Sequence, residues 1–318
     1  MKILITGGTG FIGTHLAYLL AASGHTVSVW DPLPPGRLKL DERFLAPCRG
    51  SRSAYQELGT RIHWIKTTST DYNRRLLRFI KRFQVVFHLG GSVGVDFCNQ
   101  TSEYIRESVK NNTLFTADLG LTCAKCDVRI VYVTSLQTWL NAYMISKETG
   151  MDYLAYYGDR LGLDAYIVEA THIYGPGQRW YPAKKAVPAF IRALAEDQAL
   201  QIENEGIAPL DLIYVSDFVE ILAQIGLSFP RATRTSRKLQ IGSGTEISVL
   251  EFARYLSKLM GKPDAPMEFS EKRAGEPPNP AEFRKIGTPP YQRFGIQPTP
   301  LDVGLKKTIE WVVGYPAP

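Results

Sequence analysis

The chain has 318 residues, of which 44% are apolar and 21% charged, a composition typical of a globular protein with one large or two medium domains. Its net charge of +6 comes from dispersed basic residues, with only short clusters such as Arg74-Arg75 and Lys184-Lys185, which favours a small anionic ligand over nucleic acid. Four cysteines are too few for a disulfide scaffold of this size, and no apolar run is long enough to span a bilayer, so we expect no membrane partner.

The N-terminal segment predicts a buried strand, a tight turn and a helix. Residues Ile3 to Ile5 are apolar and mostly β-branched, which is typical of a buried strand. Apolar residues then recur at helical spacing from Phe11 to Leu20. Because Met1 leads directly into the strand, we expect no signal peptide and a cytoplasmic protein.

Glycines occupy the turn between this strand and this helix. Gly8, Gly10 and Gly13 satisfy the pattern G-x-G-x-x-G, and Gly7 starts a second, overlapping version of it. Without side chains, the turn can close and its backbone N–H groups can approach a pyrophosphate at the positive end of the helix dipole. This context predicts a dinucleotide site whose contacts at the turn are Gly7, Gly10, Phe11, Ile12 and Gly13.

The second predicted strand, residues 26–30, ends in Asp31, which lies eighteen residues after Gly13. A carboxylate at this position accepts both hydrogen bonds of an adenosine ribose diol and repels a 2′-phosphate, so the predicted cofactor is NAD. An irregular segment rich in proline and arginine follows at 32–52. Its Arg37 can contact an adenosine phosphate, which leaves NADP open.

Strand and helix patterns alternate from residue 61 to residue 168. Strands are predicted at 61–65, 84–89, 129–133 and 164–168, and helices at 73–82, 101–126 and 142–158. This alternation predicts an α/β fold with a doubly wound parallel sheet, the Rossmann architecture. Leu89 and Gly90 end the fourth strand, where glycine lets the backbone pass close to a cofactor, so both are predicted cofactor contacts.

Beyond residue 175 the pattern changes to a smaller α/β unit. Helices are predicted at 182–200, 217–225, 248–260 (with Ser248 as N-cap) and 301–313, and short strands at 200–202, 212–215 and 238–241. We expect a dinucleotide-binding domain at 1–175 with a returning segment at about 211–243. A substrate domain at 176–210 and 244–318 would hold the substrate over the nicotinamide.

Cys123 and Cys126 form a C-x-x-C pair at the predicted end of a helix. A zinc site needs a second ligand pair at suitable spacing, and the other cysteines, Cys48 and Cys98, do not provide one. We interpret the pair as coincidental and expect no metal.

Three residues around the fifth strand carry the predicted chemistry. Tyr143 and Lys147 are four positions apart at the start of a helix, so they project from one face. The ammonium of Lys147 favours the phenolate of Tyr143, which can then take a proton from an alcohol while hydride leaves for the cofactor. Ser135 lies at the carboxyl end of the strand, where open α/β sheets bind ligands, and its hydroxyl can hold the reacting oxygen.

With these residues in place, the chain resembles an extended short-chain dehydrogenase/reductase of the NAD-dependent epimerase/dehydratase family, which acts on nucleotide sugars. The resemblance runs nearly end to end. Its motifs are Gly7 to Gly13, Asp31, His88-Leu-Gly-Gly, Asn112 with Thr116, Thr134-Ser135, Tyr143 with Lys147, Tyr174-Gly-Pro-Gly-Gln, Ile213-Tyr-Val-Ser-Asp217 and Arg273-Ala-Gly-Glu.

The resemblance implies further roles for particular residues. It makes Asn112 structural, places Lys147 on the nicotinamide ribose and Arg273 on the substrate diphosphate, and implies a homodimer formed by the helix before Cys126 and the helix carrying Tyr143. The predicted substrate contacts are Ser92, Thr134, His172, Arg179 and Arg273.

The chain also departs from the family. Ser135 and Tyr143 are only eight positions apart, so the long loop that roofs the sugar is missing. We expect the roof to come from Val93 to Gln100, from Gln178 to Lys185 with Trp180, or from the tail near Arg273. Three positions where the family has an aspartate, an arginine and R-x-x-N carry Thr68, Leu210 and Glu169-Ala-Thr-His172. His172 can contact substrate, but we prefer to interpret it as a buried structural histidine.

The family's 4,6-dehydratases carry an Asp-Glu pair where this chain has Leu136 and Gln137. Neither side chain can shuttle a proton at neutral pH, so 4,6-elimination is disfavoured. We therefore predict an NAD-dependent epimerase of a nucleotide-activated sugar that works through a transient keto intermediate. Two alternatives stay open, an NAD(P)H-dependent ketoreductase or dehydrogenase and a non-catalytic dinucleotide-binding protein. The sugar, the carbon and the nucleobase are not specified by these motifs.

Overall fold

A computed structural model describes residues 1–45, 52–66, 75–94, 101–136, 139–180, 185–233, 237–273, 276–279 and 291–315. Predictions at other positions lie outside the described residues; they concern Cys48, Thr68, Cys98, Gln137 and the loops 95–100 and 181–184. In the part of the chain that is described, no helix is both long and apolar enough to cross a membrane.

A seven-stranded parallel sheet in the order β10-β6-β5-β4-β1-β2-β3 forms the centre of the fold. The order reverses beside β1, which pairs with β2 on one side and β4 on the other, and sheets of this kind bind ligands at that point. The predicted doubly wound sheet is confirmed. Its strands are β1 (Lys2–Thr6), β2 (Thr26–Asp31), β3 (Ile62–Lys66), β4 (Val85–His88), β5 (Arg129–Ser135), β6 (Ala165–Ala170) and β10 (Lys238–Ile241).

Helices cover both faces of this sheet. Alternate residues of each strand point to opposite faces, so Ile3 and Ile5 join one buried cluster while Leu4 joins the other. The helices are α1 (Phe11–Ala22), α2 (Arg52–Thr60), α3 (Arg75–Ile80), α4 (Ser102–Ser108), α5 (Phe115–Cys126), α6 (Ala142–Leu161), α7 (Ala186–Ala195), α8 (Val215–Leu227), α9 (Val249–Leu259), α10 (Tyr291–Phe294) and α11 (Leu301–Gly314). A π-helical turn, Val109–Leu114, joins α4 to α5, and a 3-10 turn covers Asn204–Gly206.

Two small sheets belong to the C-terminal part of the chain. One consists of β7 (His172–Tyr174), β9 (Pro209–Tyr214) and β11 (Glu246–Ser248), and the other of β8 (Leu200–Glu203) and β12 (Met267–Ser270). In contrast, β10 returns to the large sheet and pairs with β6. The proposed division into two domains, with its boundaries, stays a prediction.

Ser248 is the N-cap of α9, as predicted. Its hydroxyl accepts a hydrogen bond from the backbone N–H of Glu251 (3.1 Å), while the Glu251 carboxylate accepts one from the backbone N–H of Ser248 (2.9 Å). This reciprocal pair is a capping box, which satisfies donors that the first turn of a helix leaves without partners.

Several elements differ from the prediction. Four elements were not predicted: helix α2 and strands β7, β11 and β12. Helix α2 buries only Leu58, and the edge strands β11 and β12 have no clear apolar alternation in their sequences. Their residues are fixed by backbone pairing with β9 and β8, which are distant in sequence. The predicted helix at 182–200 is shorter, and Val215, predicted at the end of a strand, begins α8.

The packing of α8 against the sheet generates a stability prediction. A Cβ atom on Gly226 would overlap the ring of Phe87, a buried residue of β4. Gly226→Ala should therefore lower the free energy of unfolding by about 1–3 kcal/mol, the usual cost of overpacking a core. Gly314→Ala is the matched control, because a Cβ on that helical glycine meets no atom within 4 Å. Urea unfolding measures both variants, and equal unfolding midpoints for the two would contradict this packing.

Candidate active site

The glycine-rich turn is closed by direct backbone contact with the end of β4. Gly7 has φ of +68°, and a Cβ atom there would lie 2.7 Å from the Cα of Gly90. A Cβ on Gly13 would overlap the Gly7 carbonyl oxygen. Larger residues are therefore excluded at both positions, and the cofactor contacts predicted at this turn stay a prediction.

Thr9 gives an independent sign that this turn fits a ligand. Its side chain is 4% exposed, and among the described residues its hydroxyl has no hydrogen-bond partner. A buried hydroxyl without a partner is costly unless a ligand oxygen satisfies it. The pyrophosphate or ribose of a dinucleotide at the helix N-terminus provides such oxygens.

Asp31 ends β2 beside this turn and is 5% exposed. One carboxylate oxygen accepts the backbone N–H of Thr9 (3.1 Å), and the other accepts the N–H of Leu33 (2.9 Å). These bonds fix the carboxylate, and each oxygen keeps a second lone pair for a ribose hydroxyl.

Arg37 lies at the same end of the site. Its Nε donates to the Thr9 carbonyl (3.3 Å). Partial burial lowers the pKa of Arg37, the carboxylate of Asp31 raises it, and the charge of Arg179 lowers it again. Arg179, a predicted substrate contact, thus lies within electrostatic range of Arg37.

The end of β4 is organised around a buried histidine. The Nδ1 of His88 is 2.7 Å from the hydroxyl of Thr6, and its Nε2 is 2.9 Å from the hydroxyl of Thr116. Burial, with the charge of Lys147, lowers the pKa of His88 to about 3, so the ring is neutral. Gly90 donates its N–H to the Thr6 hydroxyl (3.2 Å), which holds the predicted cofactor segment at Leu89 and Gly90 against β1.

Asn112 lies in the π-helical turn and is fully buried. Its side chain accepts from the N–H of Ser92 (2.8 Å) and donates to the Ser92 carbonyl (3.1 Å) and to the Ser146 hydroxyl (2.9 Å). Asn111 donates to the Ser92 hydroxyl (3.1 Å). These contacts tie the segment after β4 to helix α6, consistent with the structural role expected for Asn112.

Helix α6 begins immediately after the short connection from β5. The side chain of Asn141 caps it by accepting the N–H of Met144 (2.9 Å). Ser135 is the last residue of β5, and the preceding Thr134 is 4% exposed with no described hydrogen-bond partner for its hydroxyl. Tyr143 is half-buried one residue into the helix. The three predicted residues Thr134, Ser135 and Tyr143 thus flank one short connection at the carboxyl edge of the sheet.

Lys147, one turn further along α6, is buried. Its Nζ donates to the Val133 carbonyl (3.0 Å) and lies 4.3 Å from the centre of the Tyr132 ring. Desolvation lowers the pKa of Lys147 to about 7. A cation at this depth, on the same helix face as Tyr143, favours the phenolate form of that tyrosine.

A second group of residues lies near the predicted substrate cleft. Strand β7 carries His172, whose side chain is exposed, so the preferred interpretation of His172 as a buried structural histidine is wrong. Although solvent reaches the ring, protein surrounds it closely enough that partial desolvation, followed by the charges of Lys185 and Arg273, lowers the pKa of His172. The neutral histidine therefore lies within the electrostatic reach of two cations, an arrangement that suits an anionic ligand.

Arg273 makes contacts that the sequence did not reveal. Its guanidinium carbon lies 4.7 Å from the centre of the Trp139 ring. Its Nε is 3.2 Å from a carboxylate oxygen of Glu203 and 3.3 Å from one of Glu276. Trp139 was missed because only its place in a shortened loop marked it, and no spacing rule connects it with Arg273.

Trp180, named as a candidate roof residue, contacts Tyr315 and Arg192. Its ring packs edge-on against Tyr315 at 5.8 Å between centres, and the Arg192 guanidinium lies 5.4 Å from the ring. These contacts tie the segment after Gly177 to the end of α11. Among the three candidate roofs, only the tail near Arg273 has described contacts with the short loop.

Two departures from the family pattern are buried apolar residues. Leu136 is 6% exposed, and its N–H donates to the Ala170 carbonyl (2.7 Å). Leu210 is 5% exposed and belongs to the core. Neither position offers a proton donor or a charge to a ligand.

The C-x-x-C pair lies at the end of α5, where Cys123 is buried and Cys126 is partly exposed. Burial raises the pKa of the Cys123 thiol. Within the described ranges, no group of three or more His, Cys, Asp or Glu residues is arranged to hold a metal ion.

The chain is similar to known proteins over most of its length. A model of the NAD dependent epimerase/dehydratase family matches residues 3–242. The chain is 26% identical over 330 residues to the UDP-glucose 4-epimerase of Mycolicibacterium smegmatis, with 98% of each chain covered. It is 21% identical to the dTDP-4-dehydro-6-deoxy-D-allose reductase of Streptomyces bikiniensis, with 97% of this chain and 95% of that one covered.

A solved structure shares the fold. The UDP-glucuronic acid 4-epimerase of Bacillus cereus, in complex with UDP-glucuronic acid and NAD, matches with a TM-score of 0.79 and 22% identity. The match covers 98% of this chain and 99% of that one.

The position of Asp31 predicts cofactor preference. NAD should bind at least about tenfold more tightly than NADP, a difference of about 1.4 kcal/mol, because the carboxylate accepts the ribose diol and repels a 2′-phosphate. Direct titration by calorimetry measures both affinities. Arg37→Ala is the informative companion variant, since it should leave this preference in place. If the parent protein binds NAD and NADP equally tightly, the assignment of Asp31 to the ribose diol is contradicted. If Arg37→Ala then loses only NADP binding, Arg37 is a ligand of the 2′-phosphate.

Proposed function

The chain belongs to the NAD dependent epimerase/dehydratase family, and from this premise we propose that it epimerises a nucleoside diphosphate sugar through a transient keto sugar. The observation that carries the proposal is the cluster at the end of β5, where Ser135 ends the strand and Leu136 beside it is buried and apolar. The Nζ of buried Lys147, one turn after Tyr143 on α6, donates there to the Val133 carbonyl (3.0 Å). This cluster has the groups for reversible oxidation of an alcohol and lacks the adjacent acid that elimination requires.

In the proposed mechanism, Tyr143 is the general acid/base. Its phenolate takes the proton from a ring hydroxyl as the C–H bond breaks, and the phenol returns a proton when the alcohol forms again. The Ser135 hydroxyl holds the reacting oxygen, and the ammonium of Lys147 stabilises the phenolate. NAD, when bound, would supply the hydride acceptor for the oxidation and the hydride donor for the return reduction of the substrate carbon.

The turn at Gly7 to Gly13, the Asp31 carboxylate and the β4 end at Leu89 and Gly90 would hold this cofactor. The orphaned hydroxyl of Thr9 and the glycine contacts support that fit. Lys147 would also contact the nicotinamide ribose, as the family resemblance implies.

The proposed substrate class follows from the charges near the cleft. Lys185 and Arg273 act electrostatically on neutral His172, and a diphosphate is a dianion that two cations can bind. The relative from M. smegmatis is a UDP-sugar epimerase, so UDP-sugars that differ at carbon 4 are the first candidates. Ser92, Thr134 and Arg179 remain proposed substrate contacts.

A second candidate function is a net ketoreductase. Leu210 replaces a charged residue of the family pattern, and the short connection from Ser135 to Tyr143 leaves less cover over the substrate. The similar protein from S. bikiniensis is a reductase of a keto sugar. A reductase needs exchangeable reduced cofactor for every turnover, whereas an epimerase regenerates its cofactor.

We further propose a homodimer formed through α5 and α6. Ile145, Tyr153 and Tyr156 of α6 and Leu114 just before α5 have exposed side chains of 43–57% relative area, which is large for apolar and aromatic residues. The cytoplasmic location stays a prediction of the sequence.

Turnover without added cofactor tests the proposed function. The purified protein is incubated with UDP-glucose, UDP-glucuronic acid and UDP-N-acetylglucosamine, and products are identified by NMR. An epimer formed without added NAD(H) supports the proposal. Conversion of a 4-keto sugar only when NADH or NADPH is supplied in stoichiometric amounts would replace it with the reductase.

The role of Tyr143 predicts a specific pattern in two variants. Tyr143→Phe should reduce turnover about a hundredfold or more while NAD affinity stays nearly unchanged, because only the acid/base group is lost. Lys147→Ala should reduce both turnover and NAD affinity. Steady-state kinetics and NAD titration check the two quantities, and near-normal turnover by Tyr143→Phe would rule out this mechanism.

A further inference from the structure

We propose that Trp139 is a positioning residue that fixes the orientation of Arg273 in the substrate cleft. It would thereby replace part of the substrate-binding function of the missing roof loop. Trp139 lies in the short connection between Ser135 and Tyr143, and its indole ring faces the Arg273 guanidinium at 4.7 Å. The ligand that this pair recognises is the diphosphate of the substrate. The inference rests on the proposed function and adds to it a residue on which substrate affinity depends.

The backbone of Trp139 is fixed by the helix that carries the acid/base residue. The side-chain amide of Asn141 donates to the Trp139 carbonyl (2.9 Å), while its oxygen caps α6 by accepting the N–H of Met144. Asn141 is 7% exposed, so both bonds are shielded from water. The position of the indole is therefore coupled to the first turn of α6, where Tyr143 lies.

Arg273 is held from two directions. The guanidinium carbon lies over the Trp139 ring at 4.7 Å from its centre, and the carboxylates of Glu203 and Glu276 contact the Nε at 3.2 and 3.3 Å. Glu276 is 2% exposed and also accepts the backbone N–H of Arg273 (3.1 Å). The Nη2 of Arg273 also donates to the second Glu276 oxygen (3.4 Å), so Glu276 engages the edge of the guanidinium formed by Nε and Nη2.

The contact between Trp139 and Arg273 affects ligand binding because of the charges around the guanidinium. Two carboxylates against one guanidinium leave a negative balance that repels a diphosphate unless the arginine fork is aimed at the ligand. An aromatic face orients a guanidinium and stabilises its charge without adding negative charge. Trp139 thus supplies orientation that a third carboxylate could not supply without repelling the ligand.

The experiment measures nucleoside diphosphate binding by the NAD-saturated protein. UDP and dTDP are titrated by calorimetry into the parent, Trp139→Ala, Trp139→Phe, Arg273→Ala and the double variant. Trp139→Ala should weaken binding about tenfold, within the range of a partly buried cation–π contact. Trp139→Phe should retain most of the affinity because it keeps an aromatic face. The double variant should bind no more weakly than Arg273→Ala, because Trp139 acts through Arg273.

NAD affinity and the thermal unfolding midpoint are the controls, and both should stay at the parent values in Trp139→Ala. Unchanged UDP and dTDP affinity in Trp139→Ala would overturn the inference while leaving the proposed function intact. A loss in the double variant equal to the sum of the single losses would also overturn it, because Trp139 would then contact the ligand independently. A parent protein that binds neither diphosphate would overturn the proposed function together with the inference.

Discussion

The rest of the site depends on the contacts that the buried ammonium of Lys147 makes. Burying a charge is costly unless it is paired or hydrogen-bonded, and here the Val133 carbonyl and the Tyr132 ring provide those contacts. They fix the start of α6 against the end of β5. The first turn of α6, which carries Tyr143, is thereby fixed at the carboxyl end of β5, and burial keeps the pKa of Lys147 at about 7, so its proton can exchange near neutral pH.

The fold was predictable wherever a local pattern determines the structure. The glycines between β1 and α1 report a close backbone approach that no larger residue permits, and the apolar runs of the central strands report burial on both faces. Strands β11 and β12 could not be predicted, because each is defined by backbone pairing with a distant strand. Helix α2 has the same limitation, since Leu58 is its only buried residue.

The candidate site also contains residues that local spacing predicts and contacts that only the tertiary fold creates. Asp31, Tyr143 and Lys147 follow from spacing within or next to one element, and the structure places them as that spacing predicts. The contact between Trp139 and Arg273 depends on how the C-terminal part folds back onto β5, so sequence spacing could not reveal it. The same folding exposes His172, which residue type alone had left open.

The central claim is that the hydride leaves and returns to the same sugar carbon while Tyr143 exchanges only the hydroxyl proton. The most direct test uses the nucleotide sugar that turns over, deuterated at the carbon that inverts, in ordinary water with an excess of unlabelled NADH. NMR of the epimer should show deuterium retained at that carbon. Protium at that carbon, with deuterium recovered in the free cofactor, would contradict the account and show net exchange with external cofactor.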